Sequence, residues 1–205
     1  MKVHRFLSIS AVLLSVTFAP ALIAQSPPPP AVEPGAAQLA LVTVPAKGGA
    51  KLTVTTPAFA QMGDIPFENT QYKGNVFPGL AWTGAPKATK SFVIIMQDAD
   101  AMRNGAPIFH WSMVNIPANV MKLDAGMAAP PAGAAYGPNI RGATQPYMGP
   151  RTPAGPKHRY HLQVFALDTQ VDAGALPTFE ALTAALKDHV LASGEVIGLG
   201  QAMAP

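Results

Sequence analysis

Cysteine is absent from this chain of 205 residues. Its absence excludes disulfide bonds, thiol nucleophiles, cysteine-ligated metal sites and a lipid anchor on an N-terminal cysteine. The fold must therefore be held by its core alone. A hydrophobic fraction of 49% is sufficient for such a core in a chain of this length.

Charge is also scarce, because only 12% of the residues are charged. The basic residues are scattered and form no cluster interleaved with aromatic side chains, which argues against nucleic acid as a partner. No Gly-x-Ser-x-Gly, His-Glu-x-x-His or glycine-rich nucleotide motif occurs. The sequence therefore lacks the usual signatures of a serine hydrolase, a zinc hydrolase or a nucleotide-binding enzyme.

The first 24 residues have the order of a secretory signal peptide, with Lys2 and Arg5 before an apolar run and small residues after it. We expect cleavage after Ala21 or Ala24 and a periplasmic or secreted product, without stable membrane insertion. Cleavage would leave 12 basic residues of the original 14 against 11 acidic ones. A Pro/Ala/Gly-rich linker is predicted over residues 25–50, because consecutive prolines favour an extended chain.

From residue 51 to residue 205, short apolar runs separated by Pro, Gly and Asn predict one mainly antiparallel β domain. The run 92–96 is apolar at every position, which predicts a central strand covered on both faces. In the last predicted strand, His158 shares the apolar face with Tyr160. The predicted strands are 51–55, 81–82, 92–97, 111–116 and 160–167.

One helix is predicted near the C-terminus, where Thr178 is a candidate N-cap residue. An apolar stripe from Phe179 to Val190 extends it to a break at residues 193–194. Residues 38–44 fit either a first strand or more linker. The predicted fold class is all-β, with peripheral helices.

Three polar segments predict a small pocket. A Gly/Pro-rich loop over 149–157 leads into His158, and loop amides beside an imidazole suit an anion. Asp98 and Asp100 end the apolar run, and His110 precedes the next strand. Imidazoles can bind an anion, and nearby carboxylates can orient the bound molecule. The segments therefore indicate a site for a small anionic or phosphate-bearing molecule.

The ordered segments GNVFPGLAW, SFVIIMQDADAM, FHWSMVNIP, GPRTPAGPKHRYHLQVFALD and HVLASGEVIG resemble the phosphatidylethanolamine-binding protein family, in its bacterial Raf-kinase-inhibitor-like branch. The resemblance covers residues 52–200. It implies two packed antiparallel sheets with peripheral helices, and a small cavity for phosphate-like groups.

The resemblance also assigns residues to this cavity. We expect a phosphate or carboxylate headgroup to bind the amides of loop 149–152, with both histidines donating hydrogen bonds. Ala99, Met102 and Thr152 stand where the family has prolines. The matching positions are Asp98, Asp100, His110, Gly149, Pro150, His158 and Tyr160.

The candidates also have structural interpretations. His110 can be a buried histidine that donates to a carbonyl, and Asp98 and Asp100 can cap loop amides in Asx turns. Among the remaining polar residues, Arg159 is expected to pair with a carboxylate.

Two other histidines have structural expectations only. His161 is expected to be a solvated or second-face residue. His189 is expected to lie in the core beside the predicted helix.

The functional prediction is a non-catalytic binding protein without a cofactor or a metal site. A hydrolase that uses Asp98, His110 and His158 is less favoured, because Ser112, a serine near these residues, lies within a predicted strand. The resemblance also implies family members that inhibit proteases or kinases. A periplasmic protease inhibitor, or another protein-interaction module, therefore remains an alternative.

Overall fold

The structure is a computed structural model that describes residues 26–142 and 146–203. The predicted signal peptide lies outside the described residues. The strands are β1 Ala50–Lys51, β2 Thr53–Thr55, β3 Gly63–Asp64, β4 Leu80–Thr83, β5 Ser91–Arg103, β6 Ala106–Pro117, β7 Lys122–Leu123, β8 Ala135–Tyr136, β9 His158–Leu167 and β10 Val190–Gly200. The helices are α1 Ala40–Thr43 and α2 Phe179–Leu186, with 3-10 turns at Ala36–Gln38, Lys47–Gly49, Phe67–Asn69 and Ala173–Ala175. None of these helices is both long and apolar enough to cross a membrane.

The strands form two sheets, as the family resemblance implies. The larger sheet has the order β1-β10-β9-β5-β6-β8, with β3 also paired to β10, and the smaller has the order β2-β4-β7. β1 and β3 run parallel to β10, whereas the other pairs are antiparallel. An Asn104–Gly105 turn joins β5 to β6, and both residues have positive φ, as two-residue hairpins favour.

The core lies on both faces of the larger sheet. Phe92, Ile94 and Met96 pack toward the smaller sheet, and the alternating residues Val93 and Ile95 pack with the two α-helices on the opposite face. These five side chains are fully buried. The prediction of a central strand covered on both faces is confirmed.

The C-terminal helix is shorter than predicted. Thr178 caps it by accepting a hydrogen bond from the Ala181 amide at 3.2 Å, as expected. The helix ends at Leu186, and Asp188 adopts a positive φ of 65° before the chain turns into β10. Val190, which continues the apolar stripe in the sequence, therefore begins a strand.

Residues 26–46 lie along the outer face of the larger sheet and are called the strap below. Leu39, Ala40 and Val44 of this segment are buried, and residues 36–43 are largely 3-10 and α-helical rather than a strand. The sequence predicts a linker here. In the structure the described residues of this segment pack against the domain.

The fold brings the ends of three long strands together. Asp98 of β5 lies opposite Tyr160 of β9 on one side and Ile108 of β6 on the other. The pocket described next opens at this junction.

Candidate functional site

A cavity of about 260 Å³ opens beside the ends of β5, β6 and β9. It brings together four of the seven predicted site residues, each from one of these strands. Its lining consists of Gln71, Asp98, Ala101, Ile108, His110, Ile140, Arg141, Met148, Arg151, Pro153, His158 and Tyr160.

Asp98 is the fixed centre of the site and is only 2% exposed. Its Oδ1 accepts hydrogen bonds from the amides of Asp100 and Ala101, both at 3.0 Å. Its Oδ2 lies 2.9 Å from Nδ1 of His158. This Asx turn bonds the chain at the segment where the family pattern has prolines.

His158 is the titratable group at the cavity wall, with a side chain 15% exposed. The hydrogen bond to Asp98 raises its pKa above the ordinary histidine value, against the opposing effect of burial. Because Nδ1 faces Asp98, Nε2 is the nitrogen left to donate to a ligand. A protonated His158 supplies a charged donor at this point.

His110 has the opposite electrostatic character. Burial lowers its pKa, so the neutral ring is favoured. Its Nδ1 lies 3.1 Å from the carbonyl oxygen of Gly149 and must donate to it. Nε2 of the neutral ring then carries a lone pair, so His110 is an acceptor and not the anion donor that the sequence predicts.

Tyr160 forms the buried wall of the cavity. Burial raises its pKa well above the usual value, so the phenol stays protonated. Its hydroxyl lies 3.1 Å from the hydroxyl of Thr152, which is fully buried. A proline at this position, as in the family pattern, could not make this contact.

Asp100 does not line the cavity. It accepts hydrogen bonds from the Arg159 amide at 2.7 Å and from Nε of the same residue at 2.8 Å. Its side chain is 2% exposed. Although burial alone would raise its pKa, the hydrogen bonds from Arg159 lower it. The structure thus supports the predicted pairing of Arg159 and gives Asp100 a structural role.

The predicted amide cradle of the 149–152 loop is wrong at its first two positions. The Gly149 amide donates to Oδ1 of Asn75 at 2.8 Å, and Pro150 has no N–H. Their carbonyls also point to protein donors, since Gly149 accepts from Gln71 Nε2 at 2.7 Å and Pro150 from the Gln71 amide at 2.9 Å. Gly149 and Pro150 therefore do not line the cavity, but they hydrogen-bond residues that do, namely Gln71 and His110.

Two cationic residues of the lining, Arg141 and Arg151, are not among the residues predicted from the sequence. Both are solvent-exposed residues at the cavity. Arg151 lies inside the Gly/Pro-rich loop and could have been found there. Arg141 follows β8 by five residues and carries no comparable signal.

A larger cavity of about 420 Å³ lies on the other side of Ile108 and Ile140, which line both. Its titratable residues are Arg103 and Glu180, and no histidine lines it. The smaller cavity is therefore the candidate site, because it combines buried polar groups with cationic ones.

Of the two remaining histidines, His161 lies on the second face of the sheet, which is one of the two positions expected for it. It faces away from the cavity and is 2% exposed, so it is not solvated. His189 has a half-exposed side chain that bonds Asp168 at 2.7 Å, so it is not a core residue.

Catalytic and metal alternatives gain no support from the geometry. The Ser112 hydroxyl donates to the carbonyl of Pro138 at 2.8 Å inside the fold. Across residues 26–142 and 146–203, no three acidic or histidine side chains are arranged to hold a metal ion.

Comparison with known proteins agrees with the fold. The family model for the phosphatidylethanolamine-binding protein matches residues 55–201. A UPF0098 protein of Methanothermobacter thermautotrophicus is 36% identical over 153 residues, which cover 72% of this chain and 97% of that protein.

Two solved structures are similar to this chain. The crystal structure of Escherichia coli YbcL, described as a member of the mammalian PEBP family, has a TM-score of 0.67 at 27% identity, with 75% of this chain and 100% of that chain covered. The PEBP homologue CT736 of Chlamydia trachomatis has a TM-score of 0.66 at 28% identity, with 73% and 97% covered.

Proposed function

Because this chain belongs to the phosphatidylethanolamine-binding protein family, and hence to small-ligand-binding proteins, we propose that it binds a phosphate-like anionic headgroup reversibly and without catalysis. The observation that carries this proposal is the His158–Asp98 pair in a 260 Å³ cavity that Arg141 and Arg151 also line. Buried donors with cationic side chains at an opening favour small anions.

The proposed binding mode assigns a different part to each histidine. Protonated His158 donates from Nε2 to an anionic oxygen, and the guanidinium groups of Arg141 and Arg151 add positive potential. His110 accepts from a hydroxyl of the ligand, because its own proton is engaged by Gly149. Tyr160 shapes the wall. The ligand is therefore an anion that also carries a hydrogen-bond donor, such as the hydroxyl of a protonated phosphate.

Thermal unfolding with inorganic phosphate, phosphoethanolamine or citrate tests the anion site. A ligand at ~100 times its dissociation constant adds about 2.7 kcal/mol of stability. His158→Ala is expected to weaken phosphate binding by about tenfold or more, because it removes a charged hydrogen bond.

His189→Ala is the matched control, since His189 also bonds an aspartate through Nδ1 but lies outside the cavity. It is expected to leave the phosphate-induced shift unchanged. An equal shift in wild type and His158→Ala would remove the pocket from consideration and favour a protein-interaction role such as protease inhibition, which acts through exposed surface.

A second measurement tests the role of His110. At neutral pH phosphate retains a hydroxyl, whereas sulfate and fluorophosphate are dianions of similar shape without one. If His110 accepts from the ligand, phosphate binds about tenfold more tightly than either analogue, because an unpaired buried acceptor is costly. Equal dissociation constants by calorimetry would contradict this assignment.

We also propose that the protein is exported to the periplasm or the medium. The support is the leader-like residues 1–24. Mass spectrometry of the protein from a periplasmic or culture fraction should give a chain that begins at Leu22 or Gln25. An uncleaved chain retained in the cytoplasm would overturn this proposal.

A further inference from the structure

The strap, residues 26–46, lies behind the pocket on the opposite face of β5 and β9. Its backbone bonds β5 and the residue that immediately precedes β9, close to residues that line the cavity. The Gly35 amide donates to the Ala99 carbonyl at 2.8 Å, and the Lys157 amide donates to the Pro27 carbonyl at 2.8 Å. The strap is outside the matched family region, which begins at residue 55.

The middle of the strap is bonded to the sheet by a charge cluster with a buried histidine at its centre. His161 bonds carboxylates through both ring nitrogens, with Nε2 at 2.5 Å from Glu33 of the strap and Nδ1 at 2.8 Å from Glu195 of β10. A neutral imidazole has one N–H, so both bonds can form together only with the protonated ring. The strap is thus held by a charged histidine.

Arg159 holds the strap beside this cluster. Its Nη2 donates to the carbonyls of Pro30 at 3.0 Å and Val32 at 3.3 Å, and its Nε lies 3.7 Å from Glu33. The same guanidinium pairs with Asp100 at the end of β5. One side chain therefore links the strap, β5 and β9.

Alternation along β9 connects the strap to the pocket. His158 and Tyr160 face the cavity, whereas Arg159 and His161 face the strap. On β5, Asp98 faces the cavity, and the next residue, Ala99, bonds the strap. A shift of the strap must therefore move the backbone that sets the distance between Asp98 and His158.

We propose that the strap is a positioning element of the anion site, which sets the His158–Asp98 pair from behind through Glu33, Arg159 and His161. This inference rests on the proposed anion binding only where phosphate affinity is measured. The hydrogen bonds described between the strap and the sheet go to residues outside the cavity lining, so the strap acts on the site through those residues.

The attachment depends on pH. His161 faces Glu33 from the strap and Glu195 from β10, and Gln97 lies opposite it on β5. Arg159, two residues earlier on β9, lies near Glu33 and pairs with Asp100 of β5. Burial lowers the pKa of His161, but the two carboxylates outweigh burial and raise it overall. A raised pKa means that the stabilisation is complete below the unfolded value and is lost as pH rises through the folded value. The strap should therefore loosen toward alkaline pH.

The test compares Glu33→Gln with Glu195→Gln in the chain that begins at Gln25. Each removes one carboxylate from His161, but only Glu33 belongs to the strap. Hydrogen exchange measures strap attachment, NMR titration measures the pKa of His158, and calorimetry measures phosphate affinity. We expect Glu33→Gln to expose strap amides, lower the pKa of His158 and weaken phosphate binding by about fivefold.

Glu195→Gln leaves Glu33 in place, and His161 can still donate to it from Nε2 even when the ring is neutral, because Nδ1 can accept from the new amide. This variant is therefore expected to leave the His158 titration and phosphate affinity near wild type. If strap amides stay protected in Glu33→Gln, adding Gly35→Leu detaches the strap, because a Cβ at Gly35 lies 2.7 Å from Pro107 and 3.0 Å from the Ala99 carbonyl. An exposed strap with an unchanged His158 titration would overturn the proposal. Absence of phosphate binding in wild type would refute the proposed function instead, since the His158 titration needs no ligand.

Discussion

Replacement of Asp98 with alanine is expected to lower the free energy of unfolding by about 3 kcal/mol, whereas replacement with asparagine lowers it much less. Alanine removes the acceptor of two half-buried amides and of His158. Hydrogen bonds to a charged group contribute about 1.5–3 kcal/mol each, but removal of a buried charge and solvation of the half-buried donors offset part of the sum. Asparagine retains Oδ1 and with it the Asx turn. Denaturant unfolding of both variants measures the difference.

Both Asp98 variants should lower the pKa of His158, because both remove the carboxylate that raises it. The sign follows from linkage: a raised histidine pKa stabilises the fold at acidic pH, and this stabilisation is lost as pH rises through the folded value. The stability gap between wild type and Asp98→Asn should therefore narrow from about pH 5.5 to about pH 8. A gap that widens over this range would show that His158 is not paired as described.

Anion affinity should respond to Asp98→Asn in a pH-dependent way. At about pH 5.5 the variant gains from the loss of a negative charge, but at about pH 7.5 fewer of its His158 side chains are protonated. The phosphate affinity at about pH 5.5 divided by that at about pH 7.5 should therefore be larger for Asp98→Asn than for wild type. Calorimetry at the two pH values measures it.

Gly194→Ala is expected to destabilise the fold by about 3 kcal/mol, equivalent to roughly 10 °C in the unfolding midpoint. A Cβ at this position would lie 2.1 Å from the Leu52 carbonyl oxygen and 2.9 Å from its carbonyl carbon. The neighbouring Leu52 amide bonds the Ser193 carbonyl at 2.9 Å. Backbone atoms must therefore move apart at the join of β1, β2 and β10.

The matched control is Gly174→Ala, where the nearest atom to a new Cβ is Asp172 Oδ1 at 3.4 Å. This variant should unfold within about 1 kcal/mol of wild type. Differential scanning calorimetry compares the two. A Gly194→Ala protein as stable as the control would mean that the two segments are not in close contact.

The sequence predicts the central parts of β5, β6 and β9 but misses the last strand, β10, whose first residues it assigns to the helix. Residues 92–96 have one continuous apolar run, and the alternation in β9 places His158 and Tyr160 on one face. In β10 the small residues Ser193, Gly194 and Gly198 interrupt any apolar pattern. These small residues are needed because other segments approach β10 closely, and that requirement is visible only in three dimensions.

The candidate site is predictable in composition but not in hydrogen-bond direction. Asp98, His110, His158 and Tyr160, which the sequence singles out as candidates, lie together in the lining of one cavity. The Gly149 amide is taken by Asn75, a residue 74 positions earlier, and no local pattern reports this contact. The acceptor role of His110 depends on a pKa lowered by burial and on its bond to the Gly149 carbonyl. Both exist only in the assembled fold.

The position of β10 has a consequence for how the chain folds. The last strand lies between β9 and the early strands β1 and β3, which pair with it in parallel. The early strands therefore have no partner in the larger sheet until residues 190–200 have been synthesised. Such non-local pairing is slow and leaves strand edges exposed meanwhile. A chain that lacks residues 190–203 should consequently remain unfolded and aggregate rather than form a smaller domain.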